Sequence, residues 1–183
     1  LNPGVRHDWF SLIRKHGVSP GLGISFSPSG IGTFSLNGGL FYQFPIHMGY
    51  IDITDLTSSL ELQRNWQAVL SFEKALSKYI SSGIETYFKY YDREGLYSIN
   101  RQIQRRSISY STINYGKKRV FGVELYLQKK KQDFFYYEGS WTSYSSKNRY
   151  RDGTWYYSDD CVRHALSIVL GSNFHKNHGV SLR

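Results

Sequence analysis

Sustained alternation of apolar and polar residues is the strongest constraint on this chain. In "RVFGVELYLQKKK", residues 119–131, Phe121, Val123, Leu125 and Leu127 are apolar, with Gly122, Glu124, Tyr126 and Gln128 between them. A period of two places the two sets on opposite faces of a strand. A second alternating run follows after a short Lys/Gln/Asp cluster, which predicts a hairpin with a tight polar turn. The pattern recurs along the chain, giving nine strands over about 3–13, 18–27, 32–43, 64–75, 79–92, 117–130, 133–146, 161–171 and 177–183. No amphipathic helix of useful length is present, and Asp55 to Asn65 has room for one helical turn.

The connections carry further information. "SPSGIG" (27–32), "ALSKY" (75–79), "KKKQD" (129–133) and "GSNFHKN" (171–177) are short, while 44–63, 93–116 and 147–160 are longer. The "RKHGV" connection at 14–18 is a short member of the second set. In an up-and-down meander, alternate connections lie at opposite ends. Short turns at one end and longer loops at the other are the habit of transmembrane β-barrels.

Alternation by itself does not say which face meets water, because a soluble antiparallel sheet alternates too. Three features favour a membrane wall. The strands run about 10 to 14 residues, beyond the five or six usual in soluble sheets and suited to a tilted crossing of a bilayer. Aromatic residues gather near strand ends (Trp9 and Phe10, Phe41 and Tyr42, Trp66, Tyr90 and Tyr91, Phe134 to Tyr137, Trp141 and Tyr144), as interfacial girdles do. The face opposite the leucines carries Glu73, Glu85, Lys89, Glu124, Glu138 and Arg163, as a wet lumen would. The fold expected is therefore all-β: an antiparallel up-and-down meander of about nine long strands, forming part of a transmembrane β-barrel.

The ordered segments resemble a known family, the TonB-dependent outer-membrane receptors. "FGVELYLQKK", then "FFYYEGSWTSYSSKNR", then "RDGTWYYSDDCVRHALSIVL" is similar to the C-terminal part of that family's barrel. Ser140 to Ser145 stands where the family has a "sYtyS" pattern. Asp159, Asp160, Arg163 and His164 stand at its loop-to-strand junction. "VSPGLGISF" and the strand Asn37 to Pro45 resemble another run of the same barrel.

The resemblance covers nearly all of residues 1–183 and implies a partial barrel domain, a fragment without the plug domain. Family barrels have about 22 strands and a plugged lumen, so nine strands form only part of a wall. The opening "LNPGVRHDWF" reads as mid-structure and fits a fragment or a processed chain. The implied function is TonB-dependent uptake of a scarce ligand, such as an iron chelate, cobalamin or a glycan, across the outer membrane of a Gram-negative bacterium. Implied partners are outer-membrane lipid and lipopolysaccharide, and the plug domain and TonB complex through the missing N-terminal part. An outer-membrane pore without TonB coupling, or a soluble β-sheet module binding glycan or nucleic acid, are the alternatives.

Composition narrows the chemistry. The excess of nine positive charges first points to nucleic acid or an anionic surface. Most of these residues fall in expected turns and loops (Arg101, Arg105 and Arg106, Lys117 to Arg119, Lys129 to Lys131) and line no single stripe, so no nucleic-acid partner is expected. Cys161 is the lone cysteine, which excludes an internal disulfide framework, and nothing beside it marks a nucleophile. Asp159 with Asp160, and Asp52 with Asp55, read as solvated loop residues rather than a glycosidase pair. His175 and His178 have near-ligand spacing but no further ligands. No nucleophile elbow or phosphate-binding loop is present. The expectation is a non-enzyme without cofactor or metal, whose candidate extracellular ligand contacts are Arg101, Arg105, Tyr150, Trp155, Tyr156 and Tyr157.

Overall fold

A computed structural model describes residues 1–11, 13–44, 61–102, 107–129, 135–149, 153–159, 161–175 and 178–182, with the backbone alone described for 94–102, 107–115, 173–175 and 178–182. The strands are β1 (Asn2–Phe10), β2 (Lys15–Phe26), β3 (Thr33–Gln43), β4 (Gln63–Ala75), β5 (Ile80–Gln102), β6 (Ser107–Lys129), β7 (Phe135–Arg149), β8 (Trp155–Tyr157), β9 (Ala165–His175) and β10 (His178–Leu182). They form one antiparallel sheet in the order β1-β2-β3-β4-β5-β6-β7-β9-β10, with the short β8 also paired to β7. The nine-strand meander expected from alternation is the observed fold.

Directly paired residues on neighbouring strands share a face, so the register can be read as rows. One row crosses seven strands as Phe26, Phe34, Phe72, Ile84, Leu125, Trp141 and Leu166. The row one residue along is Ser25, Ser35, Ser71, Glu85, Glu124, Thr142 and Ala165. The first row is nearly all aromatic or aliphatic, and the second is polar or small. Each strand thus contributes one stripe to an apolar face and one to a polar face.

What covers the apolar face decides the class of fold. Substantial contact is confined to strands that neighbour one another in the sheet, so among the described residues no second sheet packs against this one. Leu36, Leu70, Leu125 and Leu166 are 50%, 54%, 41% and 70% exposed. Among the described residues the only buried hydrophobic side chains are Ile13 and Leu62, joined by Phe10, Tyr42 and Phe44 at one end of the sheet. A water-soluble domain of this length buries about two thirds of the surface its unfolded chain exposes. The described residues of this one form no comparable core. A wall with lipid outside needs none.

The apolar stripes have the length of a membrane crossing. On β6 the stripe Phe121, Val123, Leu125, Leu127 is bracketed by Arg119 and Lys129, ten positions apart. At about 3.3 Å per residue and a tilt near 40° that spans about 25 Å of height, the apolar band of a barrel wall. On β4, Arg64 and Lys74 bracket Trp66, Ala68, Leu70 and Phe72 in the same way.

The connections depart from the sequence reading in four places. The short connection expected at 14–18 falls between Phe10 and Lys15, because β2 already begins at Lys15. The loop expected over 93–116 is largely strand: β5 and β6 continue as a paired ribbon as far as Gln102 and Ser107. Register shifts between Asp92 and Glu94 and between Glu94 and Leu96, with Arg93 at φ 62°, separate the ribbon from the wall. A bulge of this kind bends a strand and lets it leave the sheet at a new angle. The 147–160 loop is shortened by β7, which runs to Arg149, and by β8, which pairs with it. The turn at 171–177 is shortened because β9 runs to His175. Residues 45–60, which hold most of the 44–63 connection and of the Asp55 to Asn65 segment, and residues 130–134, which include all but Lys129 of the "KKKQD" turn, lie outside the described residues.

The turn at 27–32 depends on a close approach. The Ile31 amide donates to the Pro28 carbonyl at 3.2 Å, closing the turn. Gly32 has φ 140°, and a Cβ there would lie 2.6 Å from the Glu73 carbonyl oxygen. Gly32→Ala is therefore expected to destabilise the protein by about 1–3 kcal/mol through backbone strain and displacement of β4. Urea titration of the refolded protein in detergent reads this directly, and an unchanged midpoint would show that the turn tolerates a side chain.

Candidate functional site: the polar face and the long-connection rim

The polar face carries five of the six residues assigned to it from alternation. Glu85 and Glu124 are direct cross-strand partners, flanked by Ser71 and Thr142. Glu73 lies one row away, paired with Gly83. Lys89 stands opposite Gln67 and Val120, with its ammonium 5.0 Å from the Tyr87 ring. Glu138 pairs with Gln128, whose amide donates to Ser81 Oγ at 3.0 Å. Three tyrosines fold over glycines of the adjoining strand on this face, Tyr126 over Gly83, Tyr87 over Gly122 and Tyr136 over Gly171. A Cβ on Gly83 would lie 2.4 Å from the Tyr126 ring, and one on Gly122 would lie 2.3 Å from the Tyr87 ring. These two rings lie flat along the wall beside Glu85 and Glu124, which a side chain at Gly83 or Gly122 would prevent.

Directly opposed carboxylates are mildly unfavourable in a sheet. The Glu85–Glu124 pair thus weakens the wall slightly while concentrating negative charge on one face. Such an arrangement can hold water and attract cationic groups. Among the described residues no three His, Cys, Asp or Glu side chains gather as a ligand set.

Arg163 is not with the other five. β9 begins only at Ala165, so Arg163 sits in the segment before it, where its carbonyl accepts a hydrogen bond from Ser143 Oγ at 2.6 Å. Its guanidinium lies 6.0 Å from the Tyr157 ring. Tyr157 pairs with Lys147, Lys147 with Arg119, and Arg119 shares the stripe of Phe121. Arg163 therefore belongs to the apolar side of the wall, beyond the edge of its oily band. Counting by two from Leu166 misplaced it because the chain is not extended there.

The same irregularity explains β8. Seven positions separate Tyr157 from Ala165, against four between their partners Lys147 and Thr142 on β7, so the pairing opens into a bulge between β8 and β9. Cys161 fills the opening: its Sγ accepts from the Ser146 amide and donates to the Tyr144 carbonyl, both at 3.5 Å. The Ser158 amide donates to the Ser146 carbonyl at 2.9 Å. The thiol is thus occupied with backbone groups, and Ser146 is fully buried.

Among the candidate ligand contacts, Trp155, Tyr156 and Tyr157 are the whole of β8 rather than a free loop. Trp155 and Tyr157 lie on the apolar side with Arg119 and Lys147, whereas Tyr156 pairs with Asn148 and points to the other side. Arg101 lies on the β5 ribbon, its backbone opposite Ile108, away from these three. Arg105 and Tyr150 lie outside the described residues, as do Asp52, Asp55 and Asp160. His175 and His178 face each other in the β9–β10 pairing, with only their backbone described.

An ion-pair network closes the rim on the side of the longer connections. Glu61 takes Lys15 Nζ at 3.0 Å and Arg93 Nη1 at 2.7 Å on its two carboxylate oxygens. Arg64 pairs with Asp92 across β4 and β5. The Lys15 hydrogen bond holds the Glu61 carboxyl below the usual carboxylate range, partly opposed by burial and helped by the charges of Lys15, Arg93 and Arg64. These contacts tie residue 61, at the end of the β3–β4 connection, to β2 and to the β5 bulge. They were not foreseen, because Lys15, Glu61 and Arg93 are far apart in sequence and meet only through the register.

No family model and no curated protein matches this chain. Among solved structures, the crystal structure of the outer membrane transporter YddB from Escherichia coli matches over 93% of this chain with a TM-score of 0.66 and 13% identity. The chain spans 28% of the length of that transporter. At this identity the likeness is one of fold. The chain has the fold of a section of an outer-membrane β-barrel wall.

Proposed function

We propose that this chain is part of the wall of an outer-membrane transport barrel, specifically a TonB-dependent receptor. One observation carries the reading. A single-layer sheet leaves a charge-bracketed apolar band of bilayer height uncovered on one face while its other face is acidic and hydroxylic. The matched structure is that of an outer membrane transporter, which agrees with a role in transport. In this reading Glu73, Glu85, Lys89, Glu124 and Glu138 face the lumen and the plug domain. The β5–β6 ribbon bearing Arg101, together with Tyr156, reaches toward ligand on the outside. The ligand class (iron chelate, cobalamin or glycan) rests on the sequence resemblance alone. TonB and the plug domain would act through parts of the protein outside residues 1–183.

The orientation is testable on intact cells. Asp159→Cys, exposed at the long-connection end, is expected to react with a membrane-impermeant maleimide when placed in the full-length protein. Lys78→Cys, in the 76–79 turn at the opposite end, is expected to react only after lysis. The reverse pattern would invert the topology, and labelling of both on intact cells would refute a membrane-spanning wall.

A further inference from the structure

Three cations stand on the apolar side of the wall where its oily band ends. Arg119 lies two residues beyond Phe121 on β6, and its direct partner on β7 is Lys147. Like charges directly opposed across a sheet are unfavourable, yet neither residue has a carboxylate within 4 Å among the described residues. Arg163 comes to the same place from the bulge before β9, and among the described residues it too has no carboxylate within 4 Å. The nearest acid in the adjoining row, Asp92, is already paired with Arg64.

Aromatic rings hold these cations in place. The Arg119 guanidinium lies 4.4 Å from the Trp155 ring, the Lys147 ammonium 4.5 Å from the Tyr157 ring, and Arg163 shares that ring at 6.0 Å. Stacking on a ring leaves the N–H groups at a guanidinium's edge free to donate. The cluster therefore presents positive charge, unfilled donors and two amphipathic rings at the level where a bilayer's headgroups begin. Directly below it the paired Phe121 and Phe88 are exposed. An anion rich in oxygens would satisfy the donors, and attached acyl chains would cover the phenylalanines. A soluble phosphate would gain nothing from the rings or the band beneath.

We propose that Arg119, Lys147 and Arg163, framed by Trp155 and Tyr157, bind the phosphate of a lipid headgroup in the leaflet on the long-connection side. The inference rests on the membrane-wall reading above. Arg and Lys are suited to this because charge-assisted hydrogen bonds to phosphate are short and strong.

The test uses the full-length protein purified from outer membranes in detergent, with bisphosphorylated lipid A as the probe. Replacing all three cations by Gln is expected to weaken binding on the order of a hundredfold, and each single change about fivefold. A variant with Arg119→Lys and Arg163→Lys keeps the charges and should retain most of the affinity. Dephosphorylated lipid A should bind the wild type and the triple variant equally and weakly. Millimolar inorganic phosphate should leave the bound lipid in place, and ready displacement would assign the site to a soluble anion instead. Undiminished lipid A binding by a triple variant that keeps its heat-modifiable gel shift would overturn the site while leaving the barrel intact. Absence of the wild type from the outer-membrane fraction would instead overturn the membrane reading itself.

Discussion

Leu70→Arg is expected to cost about 2–4 kcal/mol of folding free energy in the membrane, the penalty for an arginine on the lipid face near the bilayer midplane. Ser71→Arg, one residue along the same strand, is expected to be nearly neutral. The difference follows from the register. Leu70 pairs with Leu36 and Thr86 in the middle of the band bracketed by Arg64 and Lys74, and it is 54% exposed on that face. Ser71 pairs with Ser35 and Glu85, and its side chain lies on the face that also carries Glu73. An arginine there meets a carboxylate directly opposite, an arrangement worth roughly 0.2–1 kcal/mol in its favour. Refolding of the two full-length variants into lipid vesicles, followed by urea titration and heat-modifiable gel mobility, separates them. A larger loss from Ser71→Arg would mean that the polar face, and not the leucine face, meets the lipid, and would overturn the face assignment.

Removing detergent from the isolated chain is expected to cause aggregation rather than to yield a folded monomer. Row after row of the apolar face lies open: Ile24, Leu36 and Leu70 in one, and Phe26, Phe34, Ile84, Leu125 and Leu166 in the next. Soluble monomers rarely expose contiguous apolar patches beyond a few hundred Å², and this face extends across seven strands. The two ends of the sheet, β1 and β10, add unpaired strand edges, which themselves template association. Light scattering on dilution below the critical micelle concentration, beside far-ultraviolet circular dichroism in detergent, checks the expectation. A monodisperse monomer that melts cooperatively in plain buffer would refute a lipid-facing wall.

Alternation alone located all nine main strands, because side-chain direction in an extended chain depends only on position along that chain. It also put Glu73, Glu85, Lys89, Glu124 and Glu138 on one face and the leucines on the other, for the same local reason. The placement of successive connections at alternate ends of the sheet followed from the sequence as well, since a meander leaves consecutive connections no choice of end. The 93–116 segment was harder. Its alternation is weaker, and it is strand only because each half finds its partner in the other.

Tertiary structure decided the rest. An alternating sheet is equally consistent with a sandwich and with a wall, and only the lack of a second layer over Leu36, Leu70 and Leu125 separates them. Arg163 was misplaced because counting by two fails where the chain bulges, and the bulge is visible only against β7. Arg119 read as one of the turn and loop charges until the register set Lys147 beside it, with Trp155 and Tyr157 over the pair. Face is a property of one strand, and one strand's sequence carries it. Which residues stand together on that face depends on how several strands slide past one another, and that is settled by pairing across the whole sheet.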